Sequence, residues 1–486
     1  MQKPIAFAVL AASASIAGFA AINTSPIVTT TAELEPAGET PVECVESHHV
    51  SALFAPGTDP AVVAMVSEAI KNFDQSRFQI TGRWPGAGGS PVNLTYSFPS
   101  DGLSIPNGIG EGTNNNTLNA TLNARFGSTA LWKAKFAQTF QQWADLTGNT
   151  YTEVSDDDAP FFSSPGPLHG GSGRGDIRIA AKPMDGPSGV LAYNFFPGST
   201  GGDMVLDNAE GWGSSFNDFR FFRNTIAHEH GHGLGILHVC PIQQIKLMEP
   251  FLTTAFDGPQ FDDMRAAQFH YGDPNEPNNS AGAATSLGFF DADGSASSED
   301  ISIRNGSDDD YFSIEIDAAS TIDVSATPFG PTYLNGPQNG NGSCSSGSNE
   351  VSISQIDLEL TVFDTDGASV LATVNATNAG SAESLNDVSL PAAGTYFIRV
   401  QSDQVFTTGD TQMYDLDLSL TVDPVVGCVA DINGDGVTDT ADLGILIAAF
   451  GSSVTPGTGA DFNGDGVVDT ADLGILIGVF GGCTPL

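Results

Sequence analysis

The chain has 486 residues, with 16 Lys+Arg against 58 Asp+Glu and a formal net charge of −42, so electrostatics oppose nucleic acid and anionic membranes as partners and favour divalent cations. Its length suits about three domains, each able to bury a core apart from short terminal units. Five cysteines are too few for a disulfide scaffold.

Lys3 followed by an alanine-rich apolar run over 5–21 reads as a secretory signal peptide spanning 1–21, cleaved near Ala20 or Ala21. That run is short for an anchor and no second long apolar stretch follows. No membrane span is therefore expected in the mature chain, which is placed outside the cell or at its surface. Residues 22–76 are acidic and contain Pro and Thr, with one helix expected around 61–73. They form either a propeptide or an N-terminal extension.

Within 77–272, residues 91–98 alternate like an opening strand, and the Asn/Gly-rich stretch 106–127 reads as an inserted loop. From Ser128, a cap, Trp132, Phe136, Phe140 and Trp143 recur at helical spacing until Gly148 ends the run. These aromatics are assigned to the core. A second helix begins near Asn217, and its Phe219, Phe222 and Ile226 are expected to pack on the first.

That second helix carries His228-Glu229-x-x-His232-x-x-Gly235-x-x-His238. His228 and His232 are four residues apart, so both imidazoles leave one helical face and can hold one Zn²⁺. Gly235 takes a positive φ without a Cβ penalty, turning the chain so that His238 returns as third ligand. A water in the fourth position has its pKa lowered to about 7 by the metal, and Glu229 is placed as the general base. His230 lies off the ligand face.

These residues resemble the metzincins, and within them the matrixin type. Leu247-Met248-Glu249-Pro250 is similar to the family's methionine turn, in which Met248 would support the metal base without ligating it. Residues 189–198 are similar to the edge strand along which matrixins lay an extended substrate. Residues 201–203 and 207–212 are similar to the acidic segments that follow, and 261–272 to the closing helix. The resemblance spans roughly 79–272 and implies an α+β metzincin-like catalytic domain, one catalytic zinc and endopeptidase action on protein or peptide substrates.

Departures from the family pattern refine this. The positions corresponding to structural-zinc histidines carry Tyr193 and Val205, so no structural zinc is expected. Asp185, Asp207 and Glu210 keep a calcium arrangement of the family, and Asp176 with Asp203 match a further calcium site, giving one or two Ca²⁺ in this domain. Cys44 lacks the proline-rich surroundings of the activation cysteine in animal matrixins, and pairing of Cys44 with Cys240 is the plainer expectation.

Composition changes at 272–279, a linker without helical or strand period. Residues 311–317, 320–327, 356–364, 395–402 and 414–422 alternate apolar and polar side chains between turns, predicting an antiparallel, all-β sandwich domain over 273–423. Asp273-Pro274-Asn275-Glu276-Pro277-Asn278-Asn279, Ser307-Asp308-Asp309-Asp310-Tyr311-Phe312 and Gly394-Thr395-Tyr396-Phe397-Ile398-Arg399-Val400 resemble the bacterial pre-peptidase C-terminal domain. The resemblance implies help in folding, secretion or substrate binding; a spacer is the alternative.

The last segment, 427–486, repeats with a period of thirty. Asp431, Asn433, Asp435, Val437, Asp439 and Asp442 stand at loop positions one, three, five, seven, nine and twelve, as do Asp461, Asn463, Asp465, Val467, Asp469 and Asp472. Each set reads as an EF-hand-like calcium loop, with Val437 and Val467 offering backbone carbonyls. With helices following at 443–447 and 473–477, the segment resembles a type I dockerin, a small α module with two Ca²⁺. In that family positions ten and eleven help choose the cohesin partner; here they are Thr440, Ala441, Thr470 and Ala471, so a cohesin-like protein is the implied partner. Cys428 and Cys483 flank the repeats and are candidates for a disulfide clasp. The competing reading of the whole chain is a non-catalytic, calcium-stabilised adhesion or scaffold protein using the sandwich and dockerin modules.

Overall fold

A computed structural model of the chain describes residues 50–69, 80–161, 173–197, 201–304, 308–402, 411–422, 429–434 and 436–481. The expected signal peptide, Cys44, Asp435, Cys428 and Cys483 lie outside the described residues.

The first domain is built on a six-stranded sheet. In chain order come β1 (Val50–Phe54), α1 (Pro60–Ala69), β2 (Asn93–Ser97), a small hairpin of β3 (Ser104–Ile105) and β4 (Asn114–Asn115), α2 (Leu118–Phe126) and α3 (Thr129–Thr147). Then follow β5 (Thr150–Glu153), β6 (Ile177–Lys182), β7 (Val190–Phe195), β8 (Met204–Asp207), α4 (Arg220–Gly233), β9 (Val239–Cys240) and α5 (Phe261–Tyr271). The sheet order is β1-β7-β8-β6-β2-β5, with β7 antiparallel to β8 and β1 antiparallel to β7. The remaining neighbours are parallel.

The aromatic stripe of α3 is core, as its spacing predicts: Trp132, Phe136, Phe140 and Trp143 are fully buried. Each such side chain contributes roughly 1.5–3 kcal/mol by leaving water. Phe136 meets Phe222 of α4 edge-on at 5.4 Å, and Trp143 Nε1 donates to Ala227 O at 3.1 Å. The helix that carries the histidines is thereby clamped to a rigid neighbour.

Two local expectations are corrected. The stretch 106–127 is no mere loop, since it holds α2, whose Leu118, Leu122 and Phe126 are buried at four-residue spacing. Asn and Thr fill its other positions and are weak helix formers, which hid the period. Asn116 and Asp101 accept from its first N–H groups and Gly127 closes it at φ 75°. Ser128, placed as a cap, does precede α3, but its side chain makes no capping hydrogen bond.

The second domain contains β10 (Thr285–Phe290), β11 (Gly294–Ile303), β12 (Asp310–Ile316), β13 (Ser320–Pro328), β14 (Thr332–Pro337) and β15 (Ser348–Val351). It continues with β16 (Glu359–Phe363), β17 (Val370–Val374), β18 (Glu383–Leu390), β19 (Gly394–Gln401) and β20 (Gln412–Val422). Sheets ordered β10-β12-β19-β16-β17 and β11-β20-β13-β18 share one buried apolar cluster that includes Ile314, Ile322, Leu360, Ile398 and Leu416. The expected all-antiparallel pattern has one exception, β10 running parallel to β12.

The expected linker is packed rather than loose. Asp273 and Asn278 are fully buried, and Asp273 accepts from Ser302 N and Asn275 N. Arg265 on α5 is buried and donates to Tyr333 OH, Glu350 and Thr411 O, all in the second domain. β14 pairs antiparallel with β9, Gly336 opposite Cys240 and Pro337 opposite Val239. Cys240 is disulfide-bonded to Cys344, which overturns the expected Cys44–Cys240 pairing: the strand pairing brings Cys344 beside Cys240.

At the C-terminal end, α6 (Thr440–Ala449) and α7 (Thr470–Gly478) bury Leu446, Leu476 and Val468 around Ala430 and Ala460. Asp439 and Asp469 cap the two helices in matching capping boxes.

Candidate metal centre

The chain enters α4 through Asn217, Asp218 and Phe219, all with positive φ, so the helix starts three residues after its expected beginning. It runs through His228 and His232 and closes with Leu234 N donating to His230 O at 2.8 Å. Gly235 has φ 91°, and a Cβ there would collide with Gly82 O. The turn therefore demands glycine twice over, by conformation and by space. Beyond it His238 comes back to the helix.

The three Nε2 atoms form a tight triangle: His228 to His232 is 3.0 Å, His228 to His238 is 3.1 Å, and His232 to His238 is 3.2 Å. Each outer Nδ1 faces an oxygen at 2.7 Å, respectively Leu247 O, Ile236 O and the Gln338 side-chain oxygen. Carbonyl oxygens only accept, so every Nδ1 carries the proton and every Nε2 presents a lone pair inward. Burial and the neighbouring imidazoles hold His228 and His232 well below their ordinary range, and burial lowers His238 to about 4. All three are neutral at neutral pH.

Three lone pairs converging at this distance repel one another unless a cation lies between them. Tetrahedral zinc with Zn–N near 2.0–2.1 Å spaces its ligand nitrogens by about 3.3–3.4 Å, so the observed gaps fit with a small expansion. Among the described residues this is also the one group of three or more His, Cys, Asp or Glu side chains close enough to share an ion. His230 stands apart as expected: its Nε2 meets Tyr151 OH at 2.8 Å and its ring packs on Phe140.

Glu229 is fully buried, and burial pushes its carboxyl well above the usual range. Its Oε1 accepts from Leu53 N at 3.2 Å, whereas Oε2 has no hydrogen-bond partner among the described residues. A buried carboxyl with one free oxygen beside a metal-ready triad is suited to moving a proton. Met248 lies beneath the helix, where a Cβ on Gly231 would collide with its sulfur. The methionine turn is held from below by Asp263, whose carboxylate accepts from Leu247 N at 2.8 Å and Met248 N at 3.0 Å.

The proposed calcium ligands are placed as follows. Asp185 accepts from Val190 N, Glu210 from Ser188 N, and Asp207 from Met184 N and Ala209 N. Burial, with the charges of Asp185 and Glu210 adding, pushes Asp207 up to about 6; its Oδ2 is buried without a partner among the described residues. These three carboxylates feel one another's charge but are not close enough together to share one ion as they stand. Asp176 accepts from Thr95 and Asp203 from Arg178 N. Tyr193 donates to Glu111, which pairs with the buried Lys182, and Val205 is buried.

In the C-terminal repeat, Asp431 accepts from Gly434 N and Gly436 N, and Asp461 accepts from Gly464 N and Gly466 N. Asp442 accepts from Ile432 N and Asn433 N, and Asp472 from Phe462 N and Asn463 N. Both loops are thus folded alike around their first and twelfth positions. Asn463 and Asp465 bond to each other, Val437 and Val467 follow in the loops, and Thr440, Ala441, Thr470 and Ala471 open the helices.

Sequence reasoning missed Gln338, one hundred residues from His238 and in the other domain. Its amide orientation is fixed because Nε2 donates to Gly342 O at 2.9 Å. Nothing in the local sequence marks it. Asp263 was also missed, although a carboxylate at the third position of a helix is a legible cap. The strand at 50–54 carries an apolar signal, Val-Ser-Ala-Leu-Phe, that its acidic surroundings masked.

The matrixin family model matches residues 117–272, the bacterial pre-peptidase C-terminal domain model 308–402 and the dockerin type I domain model 429–480. Interstitial collagenase of Bos taurus is 38% identical over 148 residues, covering 30% of this chain and 29% of its own. That of Equus caballus is 36% identical over 139 residues, 28% of each. Matrix metalloproteinase-18 of Xenopus laevis is 34% identical over 155 residues, 30% of each. The chain thus spans less than a third of the length of these curated relatives. A solved "Type II cohesin-dockerin domain from Bacteroides cellolosolvens" is 39% identical over 12% of this chain and 93% of that chain, at a TM-score of 0.11. Along one polypeptide the chain is thus similar in turn to the matrixin family, the bacterial pre-peptidase C-terminal domain and the dockerin type I domain.

Proposed function

We propose that this protein is a secreted zinc endopeptidase that hydrolyses peptide bonds in extracellular proteins and carries a calcium-dependent partner-binding module at its C-terminal end. The observation that carries the reading is the triangle of three neutral imidazoles, His228, His232 and His238, with Glu229 buried beside it. Zinc, when bound, supplies a Lewis acid that makes water acidic enough, with a pKa of about 7, to be a nucleophile at neutral pH. Glu229 takes the proton from the attacking water and passes it to the leaving nitrogen, a role suited to a buried carboxyl beside the triad whose Oε2 has no hydrogen-bond partner among the described residues. Met248 packs under the metal helix and fixes its height. β7 lies along the site, where the ring of Phe196 meets His232 at 5.6 Å, and its outer edge is paired with the extended segment β1.

The working division is a signal peptide over 1–21, an N-terminal segment to 76, the peptidase domain over 77–272, the β-sandwich over 273–423 and the dockerin-like module over 427–486. Asp185, Asp207 and Glu210 are the candidates for one Ca²⁺ in the peptidase domain and Asp176 with Asp203 for a second, and in either case the carboxylates would have to draw closer together than they stand in this fold. The two C-terminal loops hold one Ca²⁺ each and present Thr440-Ala441 and Thr470-Ala471 to a cohesin-like protein. Among the described residues no helix is long and apolar enough to cross a membrane. The zinc-loaded chain is expected to digest an unstructured protein, to stop when zinc is chelated and to resume when zinc is returned. Digestion that continues without zinc would sink this reading.

A further inference from the structure

The outer edge of β7 is covered by the chain's own β1, all of whose residues are buried. Val50 lies opposite Phe195, Ser51 opposite Asn194, Ala52 opposite Tyr193 and Leu53 opposite Ala192. On its other side β1 runs parallel to the segment after the methionine turn: Phe54 N donates to Pro250 O at 3.2 Å, and Leu252 N donates to Phe54 O at 3.0 Å. An extended strand is thus hydrogen-bonded along both walls of the groove beside α4. Strand addition of this kind is how a groove holds an extended peptide independently of its side chains.

Side chains then fix the register. Leu53 is fully buried in the same apolar cluster as Ala192, Ala227 and Leu247, and the ring of Phe54 sits 5.9 Å from that of Phe251. The Leu53 N–H donates to Glu229 Oε1 at 3.2 Å, next along the helix to His228. In peptide hydrolysis, the nitrogen within reach of the proton-transferring carboxyl is the leaving group. That nitrogen is Leu53 N.

We propose that Val50–Phe54 occupies the substrate groove as a substrate does, and that the Ala52–Leu53 peptide bond is the one presented for self-hydrolysis, a reading that rests on the endopeptidase assignment. The water oxygen bonds to the Ala52 carbonyl carbon and the Ala52–Leu53 C–N bond breaks. One water proton travels through Glu229 to the Leu53 nitrogen and the second follows as the new acid ionises, leaving an Ala52 carboxylate and a Leu53 ammonium group. Until then the segment excludes other chains from the groove, so the precursor is latent.

The test follows the zinc-loaded full chain and zinc-loaded Glu229→Ala over time by intact mass and N-terminal sequencing, with an unstructured protein present as a second substrate. The expected result is a new N-terminus at Leu53 in the parent alone, with a half-time independent of enzyme concentration, and digestion of the added protein rising only as that product forms. Digestion from the first moment with residues 50–54 uncut, or cleavage only at another bond, overturns the proposal and leaves the endopeptidase assignment standing. Where neither event occurs, Leu53→Asp, which cannot bury its charge in the apolar pocket, decides. If that variant digests the added protein, the segment blocks the groove but the presented bond is refuted. If it is equally inert, the endopeptidase assignment fails and takes the proposal with it.

Discussion

Gln338 shows how much a single side chain can matter to a metal centre. It accepts the Nδ1 proton of His238 and so fixes both the tautomer and the ring orientation of the third ligand. Partners of this kind govern metal affinity by about 10–100-fold. Gln338→Ala is therefore expected to weaken zinc binding by that factor in a chelator competition, and unchanged affinity would remove it from the centre. Asp263 offers a pH-dependent counterpart. Burial and the neighbouring Asp262 push its carboxyl up to about 7, against about 3.9 in an unfolded chain. The folded state keeps this proton where the unfolded state has lost it, so the group's contribution is fully present below about pH 4 and is lost as pH rises to about 7. Asp263→Asn stays neutral and is expected to flatten that decline in denaturant midpoints measured across the window. The ligands, Glu229, Gly235 and Met248 were legible because their spacing is dictated by helix and turn geometry. Gln338 was not, because a contact made across domains leaves no local period.

Among the elements, α5 joins the peptidase domain to the β-sandwich. Its Arg265 is buried and bonded to Tyr333, Glu350 and Thr411 O, while Tyr333 also bonds Asp262. Removing one member of a buried charged network leaves its partners uncompensated, at a cost of about 3–5 kcal/mol. Arg265→Met is expected to lower stability by that amount in chemical denaturation and to separate the unfolding of the two domains; a loss under about 1 kcal/mol, within the range of an exposed pair, would contradict this. The aromatic period of α3, the strands of the sandwich and the two repeated helices were readable in advance. α2 was not, since Asn and Thr dilute its apolar spacing. β14 is two-sided, holding β15 and β9 at once, and its Pro and Gly residues conceal a strand. The segment 189–198, read as similar to an edge strand, is a strand but not at the edge, because β1 pairs along its outer side.

At the scale of the whole molecule, a net charge of −42 makes the folded chain self-repelling unless cations are bound. Calcium is expected to raise the melting temperature, and titration of the chain should lose two binding equivalents when Asp431→Ala and Asp461→Ala are combined; an undiminished stoichiometry would place those ions elsewhere. The three-part organisation was legible from composition shifts and the thirty-residue period. The contact between peptidase domain and sandwich was not, because disulfide Cys240–Cys344 and the β9–β14 pairing depend on residues about a hundred positions apart. These parts converge on one centre, in which three imidazoles are proposed to bind zinc and Glu229 to move the proton. The most direct test compares hydrolysis of an unstructured protein by the parent and by Glu229→Ala, both shown to hold one zinc and both incubated until N-terminal processing of the parent is complete. The account predicts hydrolysis by the parent and a loss of at least about 100-fold in the variant at equal zinc content. Equal rates from the two proteins would contradict it.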